Sequence, residues 1–339
     1  MSWKFEPAAN AFAAQRELWD SFNASGASHL LLDSGFVAPL IKHFSDRPAL
    51  LGHNANSSVS GVGLFVALGK GRWQTFQPSQ APVGLLLLRN PDTTGEALQS
   101  VTRQLPGYAL ELGVLQQDPD YSAVRIPESR PGLERLEYIQ TARITMTGTF
   151  EEYWKQRGSN LRHNLARRRR RMAEKNLVGQ LIARRSPGEI ADAIREYGRL
   201  ESAGWKAQDG TAVDADNAQG RFYREIFEHF AERGEATIYQ FVVDEKVVAS
   251  DLCLHRNGMM IVLKTAYDEA LNEYSPALMM REDIMKQLFA ENQIRVVEFY
   301  GRVMDWHRRW TEEVRSMYHV NCLRHLWVDS LKKLARRFK

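Results

Sequence analysis

The sequence predicts a mixed α/β fold in two halves, and three observations lead to that prediction. Short apolar runs separated by turn residues fill residues 1–145. Two amphipathic helical stretches then precede three consecutive strand patterns that are joined by turn signals. A helix, a strand and a short helix follow them. Helices and strands that alternate in this way are typical of an α/β or α+β domain.

Composition is that of an ordinary globular protein. The chain has 339 residues, of which 44% are hydrophobic and 25% charged, enough for two domains or one large one. Two cysteines, Cys253 and Cys322, cannot build a disulfide framework, which favours a reducing compartment. The start, MSWKFEPAAN, lacks a charged head before an apolar run, and the apolar stretch 83–88 is too short to span a bilayer. We therefore expect a cytoplasmic protein.

The excess of basic residues is local. Net charge is only +4, yet five arginines occupy 167–171 and the chain ends in KKLARRFK. This distribution favours local anionic contacts over a wholly basic, nucleic-acid-like surface.

The first half contains strand patterns but no motif that can be assigned. The predicted strands are HLLLD, VGLFVALGKGRW with a Gly-Lys-Gly turn, PVGLLLL, YALELGVL and LEYIQTARITM. Residues 149–175 are strongly helical and charged, with Ser159 a candidate cap after Gly158. We expect this charged helix to link the two halves.

The second half has clearer element boundaries. SPGEIADAIREYGRLESAGW begins as a capped helix, and GRFYREIFEHFAERG is an amphipathic helix that ends at glycine. The predicted strands that follow are ATIYQFVVD, KVVASDLCLHR and MMIVLKTAYD. A helix beginning at Ser275-Pro276, the strand IRVVEFYG, the short helix DWHRRWTEEV and a last strand in MYHVNCLRHLWV complete the order.

Residues 200–310 resemble the acetyltransferase domain of the CelD/BcsL-like (cellulose biosynthesis protein) and Fem-type branch of the GNAT superfamily. The motifs that carry the resemblance are LESAGWKAQDGTA, VVAS, LKTAYDEALNEYSPALMM and VVEFYGR, in the family's order. Fem-type proteins contain two GNAT-like domains in tandem. The resemblance therefore implies a degenerate GNAT-like domain in 1–148, a basic helical connector in 149–185 and a complete GNAT domain in 186–339.

The resemblance also implies a coenzyme A site. The superfamily binds the cofactor's pyrophosphate on a Gln/Arg-x-x-Gly-x-Gly/Ala loop that leads into a helix, and Asn272 to Ala277 occupy that pattern. Backbone N–H groups of a first helical turn are suited to phosphate, and Pro276 fits that turn. The alternative is a plain Ser-Pro helix cap. We predict that acetyl-CoA or another acyl-CoA is bound by Thr265, Ala266, Tyr267, Asn272, Ser275, Pro276, Ala277, Leu278 and Met279.

Proton transfer is expected from side chains on the strands that flank the cleft. Glu298 and Tyr300 share one face of a strand and are the first candidates, followed by Asp251 and Lys264. Alternatives are a structural ion pair for Glu298, a packing role for Tyr300, and an ion pair between Asp251 and Lys264. Backbone N–H groups where MMIVLKTAYD separates from its neighbour are candidates for oxyanion stabilisation.

The acceptor is expected beside Trp205 and Lys206, in a loop that borders the acceptor site in the resembling family. Tryptophan offers an apolar face and lysine an anion contact, although Trp205 could instead fill the core. His255 is a third substrate-binding candidate, beside an Asn-Gly turn. HVNCLRH lacks a fourth ligand and the spacing of a zinc site, so no metal is predicted.

Three functions are open at this point. The first is a coenzyme-A-dependent N- or O-acetyltransferase that acts on a sugar, sugar nucleotide or polysaccharide precursor. The second is a Fem-type aminoacyl transferase that uses charged tRNA, and the third a non-catalytic scaffold of an exopolysaccharide system. LWVDSLKKLARRFK predicts a basic amphipathic helix that either packs on the protein's own core or lies on an anionic membrane surface at the inner membrane face.

Overall fold

The fold is described for residues 2–54, 60–203, 213–214 and 217–328 of a computed structural model. The chain forms two compact units, one comprising Met1–Gln140 with Arg315–Lys339 and the other Thr141–Val314. The sequence analysis divided the chain at residue 148 and assigned everything after 186 to the second domain. The observed division is different because a strand near the C-terminus pairs with a strand of the first unit.

The secondary structure follows the predicted alternation of helices and strands. The helices are α1 (Ala8–Ala11), α2 (Arg16–Ser25), α3 (Ser34–Phe44), α4 (Thr94–Gln104), α5 (Phe150–Gln156), α6 (Ser159–Glu174), α7 (Pro187–Ala203), α8 (Ala218–Glu232), α9 (Pro276–Glu291) and α10 (Asp305–Arg308). The strands are β1 (Lys4–Pro7), β2 (Ala49–Asn54), β3 (Gly61–Gly69), β4 (Arg72–Thr75), β5 (Leu86–Leu88), β6 (Glu111–Gln117), β7 (Leu133–Thr145), β8 (Gly179–Arg184), β9 (Ala236–Val243), β10 (Lys246–Arg256), β11 (Met259–Tyr267), β12 (Val296–Phe299) and β13 (Val314–Leu323).

The first unit contains a sheet in the order β1-β2-β3-β4-β6-β13, with β5 paired to β3. The predicted Gly-Lys-Gly hairpin joins β3 to β4, and all three of its residues have positive φ. The predicted strand HLLLD is wrong, because Leu30–Leu32 form a 3₁₀ turn. The Asn23 side chain bonds both the N–H and the C=O of His29, which occupies backbone groups that a strand would pair.

The second unit contains a sheet whose strand order is β7-β12-β11-β10-β9-β8. β8 to β11 form an antiparallel meander, whereas β11 and β12 are parallel because α9 connects them. From residue 187 onward the helices and strands are those predicted, whereas β8 was not predicted. The GNAT fold expected for this half is therefore present.

The two units repeat one order of elements. In the first, α2 and α3 precede the meander β2-β3-β4, and α4 then leads to β6, which is parallel to β4. In the second, α7 and α8 precede β9-β10-β11, and α9 leads to β12, parallel to β11. This common order agrees with the predicted pair of GNAT-like domains.

The stretch assigned to a connector lies inside the second unit. Leu161, Leu165 and Met172 of α6 are buried in its hydrophobic core, and β8 pairs along its length with β9. Gly158 rather than Ser159 is the N-cap residue of α6. Across the described ranges, no helix combines the length and apolar character that crossing a membrane would require.

Candidate active site

The candidate site is a gap between two parallel strands. β12 pairs with β11 only from Met259 to Ile261, opposite Val296 to Glu298, while β10 stays paired with β11 as far as Tyr267. The remaining part of β11 therefore has an edge without a partner from β12. A cavity of about 690 Å³ lies against this edge. The predicted separation of MMIVLKTAYD from its neighbour is confirmed.

The cavity wall combines four parts of the second unit: β11, the loop before α9, the first turns of α9, and the segment after β12. A bulge between Leu252 and Cys253 shifts the β10–β11 register next to the gap. The wall consists of Val262, Leu263, Lys264, Thr265, Tyr267, Asn272, Ser275, Ala277, Leu278, Arg281, Phe299, Gly301, Arg302, Met304, Trp306, His307, Arg309 and Trp310. No carboxylate is among the described residues of this wall.

The N-terminus of α9 opens on the cavity. Ser275, Ala277 and Leu278 lie in the cavity wall, and Ser275 has a left-handed backbone with φ of 52°. Ser275 stands where the superfamily pattern has glycine, the residue for which positive φ costs least. The N–H groups of Leu278 and Met279, two of the predicted cofactor-binding residues, donate to Ser275 C=O at 3.0 and 3.2 Å. Ala277 N–H has no such partner within the described ranges.

The cavity touches residues from both faces of the sheet. Successive side chains of a strand point to opposite faces, so Lys264 and Thr265 diverge. Lys264 Nζ lies 3.0 Å from Glu201 Oε1 on α7. Thr265 Oγ1 donates to Asp251 Oδ1 at 2.6 Å and accepts from Arg281 of α9. The gap therefore connects an α7 side with an α9 side, and reactants could meet from the two faces.

A buried ion pair forms the wall on the α9 side. Arg281 Nη2 lies 2.7 Å from Asp251 Oδ2, and both side chains are almost completely buried. The guanidinium also faces the rings of Phe299 and Trp306, at 5.1 and 5.7 Å from their centroids. Burial raises the pKa of Asp251, and Arg281 with Thr265 offsets part of that rise. Asp251 therefore has a structural partner and does not line the cavity.

His307 provides a neutral imidazole in the wall. Burial, with a smaller contribution from the Arg281 charge, lowers the pKa of His307 to about 4. Its Nδ1 accepts the Met304 N–H at 3.0 Å, so the neutral ring carries its proton on Nε2. The ring also stacks on Trp306, with the centroids 3.5 Å apart. Near pH 7 the ring is therefore neutral, with one N–H available as a hydrogen-bond donor.

The predicted catalytic residues are distributed over three places. Lys264 lines the cavity, while Asp251 lies behind Thr265. Glu298 and Tyr300 are buried, and the residue that reaches the cavity is Phe299 between them. The alternative that Asp251 and Lys264 pair with each other is wrong, since they face opposite sides and have other partners.

The predicted cofactor residues mostly come together in the wall. Thr265, Tyr267, Asn272, Ser275, Ala277 and Leu278 line it, whereas Ala266, Pro276 and Met279 are buried outside it. His255 lies at the far end of β10, where Thr237 bonds its ring and burial lowers its pKa. Trp205 and Lys206 fall outside the described residues.

Four residues of the site were missed in the sequence. Glu201 lies in the quoted motif LESAGW, but nothing local shows that it meets Lys264, which is 63 residues away. Arg281 falls on a helix with mixed polarity, and its partner Asp251 is on another strand. His307 and Arg309 lie in the tryptophan-rich helix that was noted only as a family feature. Each of these residues joins the site only because segments that are distant in the sequence pack together.

No metal centre is evident in the part of the chain that the structure describes, where no three His, Cys, Asp or Glu side chains gather. Within HVNCLRH, His319 accepts the Gln116 N–H and His325 meets the Tyr108 hydroxyl.

Comparison with known proteins agrees with this geometry. Residues 159–309 match the family model described as the acetyltransferase (GNAT) domain. No curated protein matches the chain. Among solved structures, FemX is 12% identical, with a TM-score of 0.58, over 94% of this chain and 98% of that one.

Two lysylphosphatidylglycerol synthetase structures are also similar. The C-terminal domain of the putative enzyme from Agrobacterium fabrum is 12% identical with a TM-score of 0.54, covering 92% of each chain. The enzyme from Bacillus licheniformis is 10% identical with a TM-score of 0.54, covering 91% of this chain and 92% of that one. Such low identities show a shared fold only.

Fold and family match together define the class of the protein, which is an acyltransferase. In particular, the match to the acetyltransferase (GNAT) domain begins at the first residue of α6 and covers a little under half of the chain.

Proposed function

We propose that the protein transfers an acyl group from acyl-CoA to an amine or hydroxyl of a sugar, sugar nucleotide or polysaccharide precursor. The observation that carries the proposal is the cavity between β11 and β12, which opens on the N-terminus of α9. One anionic end of a ligand can meet that helix terminus while an extended chain follows the free edge of β11.

Coenzyme A fits the chemistry of the wall. The Ala277 N–H and the positive end of the α9 dipole suit a pyrophosphate. Phe299, Met304, Trp306 and Trp310 give an apolar surface for the pantetheine arm. When bound, acyl-CoA supplies an activated acyl group as a thioester.

The side chains of the wall support acyl transfer without a carboxylate base. The acceptor nitrogen or oxygen attacks the thioester carbonyl carbon and loses its proton to solvent, and the C–S bond breaks as the sulfur leaves as a thiolate that takes up a proton. Lys264, held by Glu201, places a positive charge on the α7 side of the gap, where it can orient the acceptor or stabilise the oxyanion. His307, whose proton is on Nε2, is another residue of the cavity wall with a hydrogen-bond donor.

The choice of a glycan acceptor rests on the resemblance to the CelD/BcsL-like branch. It is supported by the position of α7, whose C-terminal end leads into the predicted acceptor loop with Trp205 and Lys206. A hydroxyl- or amine-bearing sugar could enter from that side while the cofactor occupies the α9 side. We place the reaction in the cytoplasm, where acyl-CoA is formed.

The test is native mass spectrometry of the purified protein followed by a thiol-release assay. We expect coenzyme A or an acyl form to copurify, and amino sugars or sugar nucleotides to accelerate thiol release from acetyl-CoA. Absence of coenzyme A binding at millimolar concentration would contradict the proposal.

Fem-type aminoacyl transfer is the second candidate, and one observation favours it. Arg167, Arg170 and Arg171 of α6 are exposed, in a helix that begins the matched domain. The fold is also shared with proteins named FemX and lysylphosphatidylglycerol synthetase. Binding of tRNA that weakens steeply with salt, and is lost when these arginines become glutamines, would support this candidate.

The helix predicted from the sequence of the C-terminal segment raises a third question, whether the protein binds a membrane surface. Residues 329–339 lie outside the described residues, so the proposed membrane contact stays a proposal. Flotation with anionic and neutral vesicles tests it. Binding to anionic vesicles that disappears on truncation after His325 is expected for a peripheral enzyme, whereas a protein with no transferase activity that still floats would support the scaffold alternative.

A further inference from the structure

Arg309 at the cavity and Arg168 of α6 are close enough for their charges to interact, and neither has an acidic partner among the described residues. Arg309 lines the cavity and is exposed, and Arg168 of α6 is half-buried close to it. Burial and the charges of Arg167, Arg309 and Arg171 lower the pKa of Arg168. Among the described residues, no carboxylate lies within ion-pair distance of Arg168 or Arg309. The positive charges of these two guanidinium groups are therefore not neutralised by an ion pair.

The next arginine in the chain explains why Arg168 is held in place. Arg169 Nη2 lies 3.0 Å from Glu282 Oε2 and 2.7 Å from Asp283 Oδ1, and it also donates to Met279 C=O. These bonds attach α6 to the first half of α9. Arg168 is therefore presented from a fixed helix, which lowers the entropic cost of binding a ligand there.

Two guanidinium groups that lie close together repel each other, and an anion between them removes that repulsion. The planar guanidinium donates two parallel hydrogen bonds to a phosphate, and two of them can satisfy a group with three terminal oxygens and a charge near −2. A second anion position, the N-terminus of α9, opens on the same cavity. The cavity thus has two separate positions for anions.

Coenzyme A carries two kinds of phosphate, a pyrophosphate and a phosphate monoester on the 3′ carbon of its ribose. We propose that Arg168 and Arg309 bind the 3′-phosphate of coenzyme A, while the N-terminus of α9 receives the pyrophosphate. This inference rests on the proposed function, because it requires coenzyme A in the cavity. The site then distinguishes coenzyme A from its dephosphorylated form.

The test is calorimetry of the full chain with coenzyme A and with 3′-dephospho-coenzyme A. We expect the parent to bind coenzyme A at least about tenfold more tightly, the scale of one charge-assisted contact. Arg309→Gln and Arg168→Gln should each remove most of this preference and leave the affinity for the dephosphorylated form unchanged. Arg170→Gln is the matched control, because it removes the same charge from an exposed position of α6.

Several results would overturn the inference. Equal affinity of the parent for the two ligands means that no 3′-phosphate site exists, while the proposed function stands. If Arg309→Gln loses equal affinity for both ligands, Arg309 contacts a part of the cofactor other than the 3′-phosphate. A loss in Arg170→Gln as large as in Arg168→Gln indicates a diffuse polyanion surface, such as one for RNA. If the parent binds neither ligand, the proposed function fails as well.

Discussion

Lys264 Nζ lies 3.0 Å from Glu201 Oε1 and 3.1 Å from Glu201 Oε2, at a wall of the cavity between β11 and β12. Glu201 is buried and also accepts the Val213 N–H at 2.7 Å and the Tyr197 hydroxyl at 3.2 Å. A carboxylate with so many partners is fixed, and it fixes the ammonium group that reaches the cavity. Glu201 is thus a positioning residue for Lys264.

The first prediction concerns this ammonium group. Lys264→Met keeps the length of the side chain and removes the charge, so turnover should fall by about 10²-fold while coenzyme A affinity is retained. Because the buried Glu201 carboxylate would then lose the counter-charge of Lys264, the double variant Lys264→Met with Glu201→Gln is the control for folding. Steady-state kinetics of both variants measures the loss of turnover. A double variant that turns over like the parent would show that Lys264 has no part in the reaction.

The same assay tests the pair first selected from the sequence. Glu298→Gln and Tyr300→Phe should each lower turnover by ~10²-fold if that pair transfers protons. The cavity favours a different outcome, because Phe299 lines it and both of its neighbours are buried. Turnover within a few fold of the parent in both variants would assign them to packing.

The second prediction concerns the buried pair of Asp251 and Arg281. Asp251→Asn leaves the guanidinium without a counter-charge in the interior, so the free energy of unfolding should fall by about 3–5 kcal/mol. Asp192→Asn is the matched control, because it breaks an exposed pair with Arg195 and should cost under about 1 kcal/mol. Urea unfolding measures both variants. An equal decrease in the free energy of unfolding in both variants would show that the Arg281 charge does not need Asp251 as its counter-charge.

The third prediction concerns the backbone of Ser275. Its φ of 52° lies in the left-handed region, which costs a residue with a Cβ about 1–2 kcal/mol and glycine little. Ser275→Gly should therefore raise the free energy of unfolding by up to about 1 kcal/mol without loss of coenzyme A affinity. Ser275→Ala retains the Cβ and should give no gain. Thermal or urea unfolding of the two variants decides it.

The fourth prediction is a pH dependence of stability from His307. Its pKa is about 4 in the folded chain against an ordinary value of 6.5, so the unfolded chain binds more protons between those values. The free energy of unfolding should therefore decrease as pH falls from 6.5 to 4, by up to about 3 kcal/mol. His307→Asn keeps an acceptor for the Met304 N–H and removes the titration, so its profile should be flatter. If the parent and His307→Asn had identical profiles of stability against pH, the pH dependence would not come from His307.

Local signals in the sequence were enough to predict most of the helices and strands and the start of α9. Ser275-Pro276 marks a helix start because proline suits the first turn, and alternating apolar residues mark β9 to β11. The separation of β11 from its neighbour was predicted, but the residue at which β11 and β12 stop pairing was not, because that point depends on the packing of α9 between them. The partners of Lys264 and Asp251 depend on which face each residue takes, and an unforeseen bulge after Leu252 shifts that register.

The arginine run shows the same limit. Five identical side chains in sequence have different surroundings: Arg169 binds α9, Arg168 is half-buried and interacts electrostatically with Arg309, and Arg170 is exposed. Helical geometry predicts that they point in different directions but not what each direction meets.

The most direct measurement is a calorimetric titration of coenzyme A into the parent, Ala277→Glu and Ala290→Glu. Ala277 lies in the first turn of α9 at the cavity, and Ala290 is exposed near the other end of the helix, so the two changes add the same carboxylate to one helix. We expect stoichiometric binding by the parent and by Ala290→Glu, and none by Ala277→Glu, because a carboxylate there repels the pyrophosphate. Equal binding by all three folded proteins would contradict the account that α9 and the β11–β12 gap form a coenzyme A site.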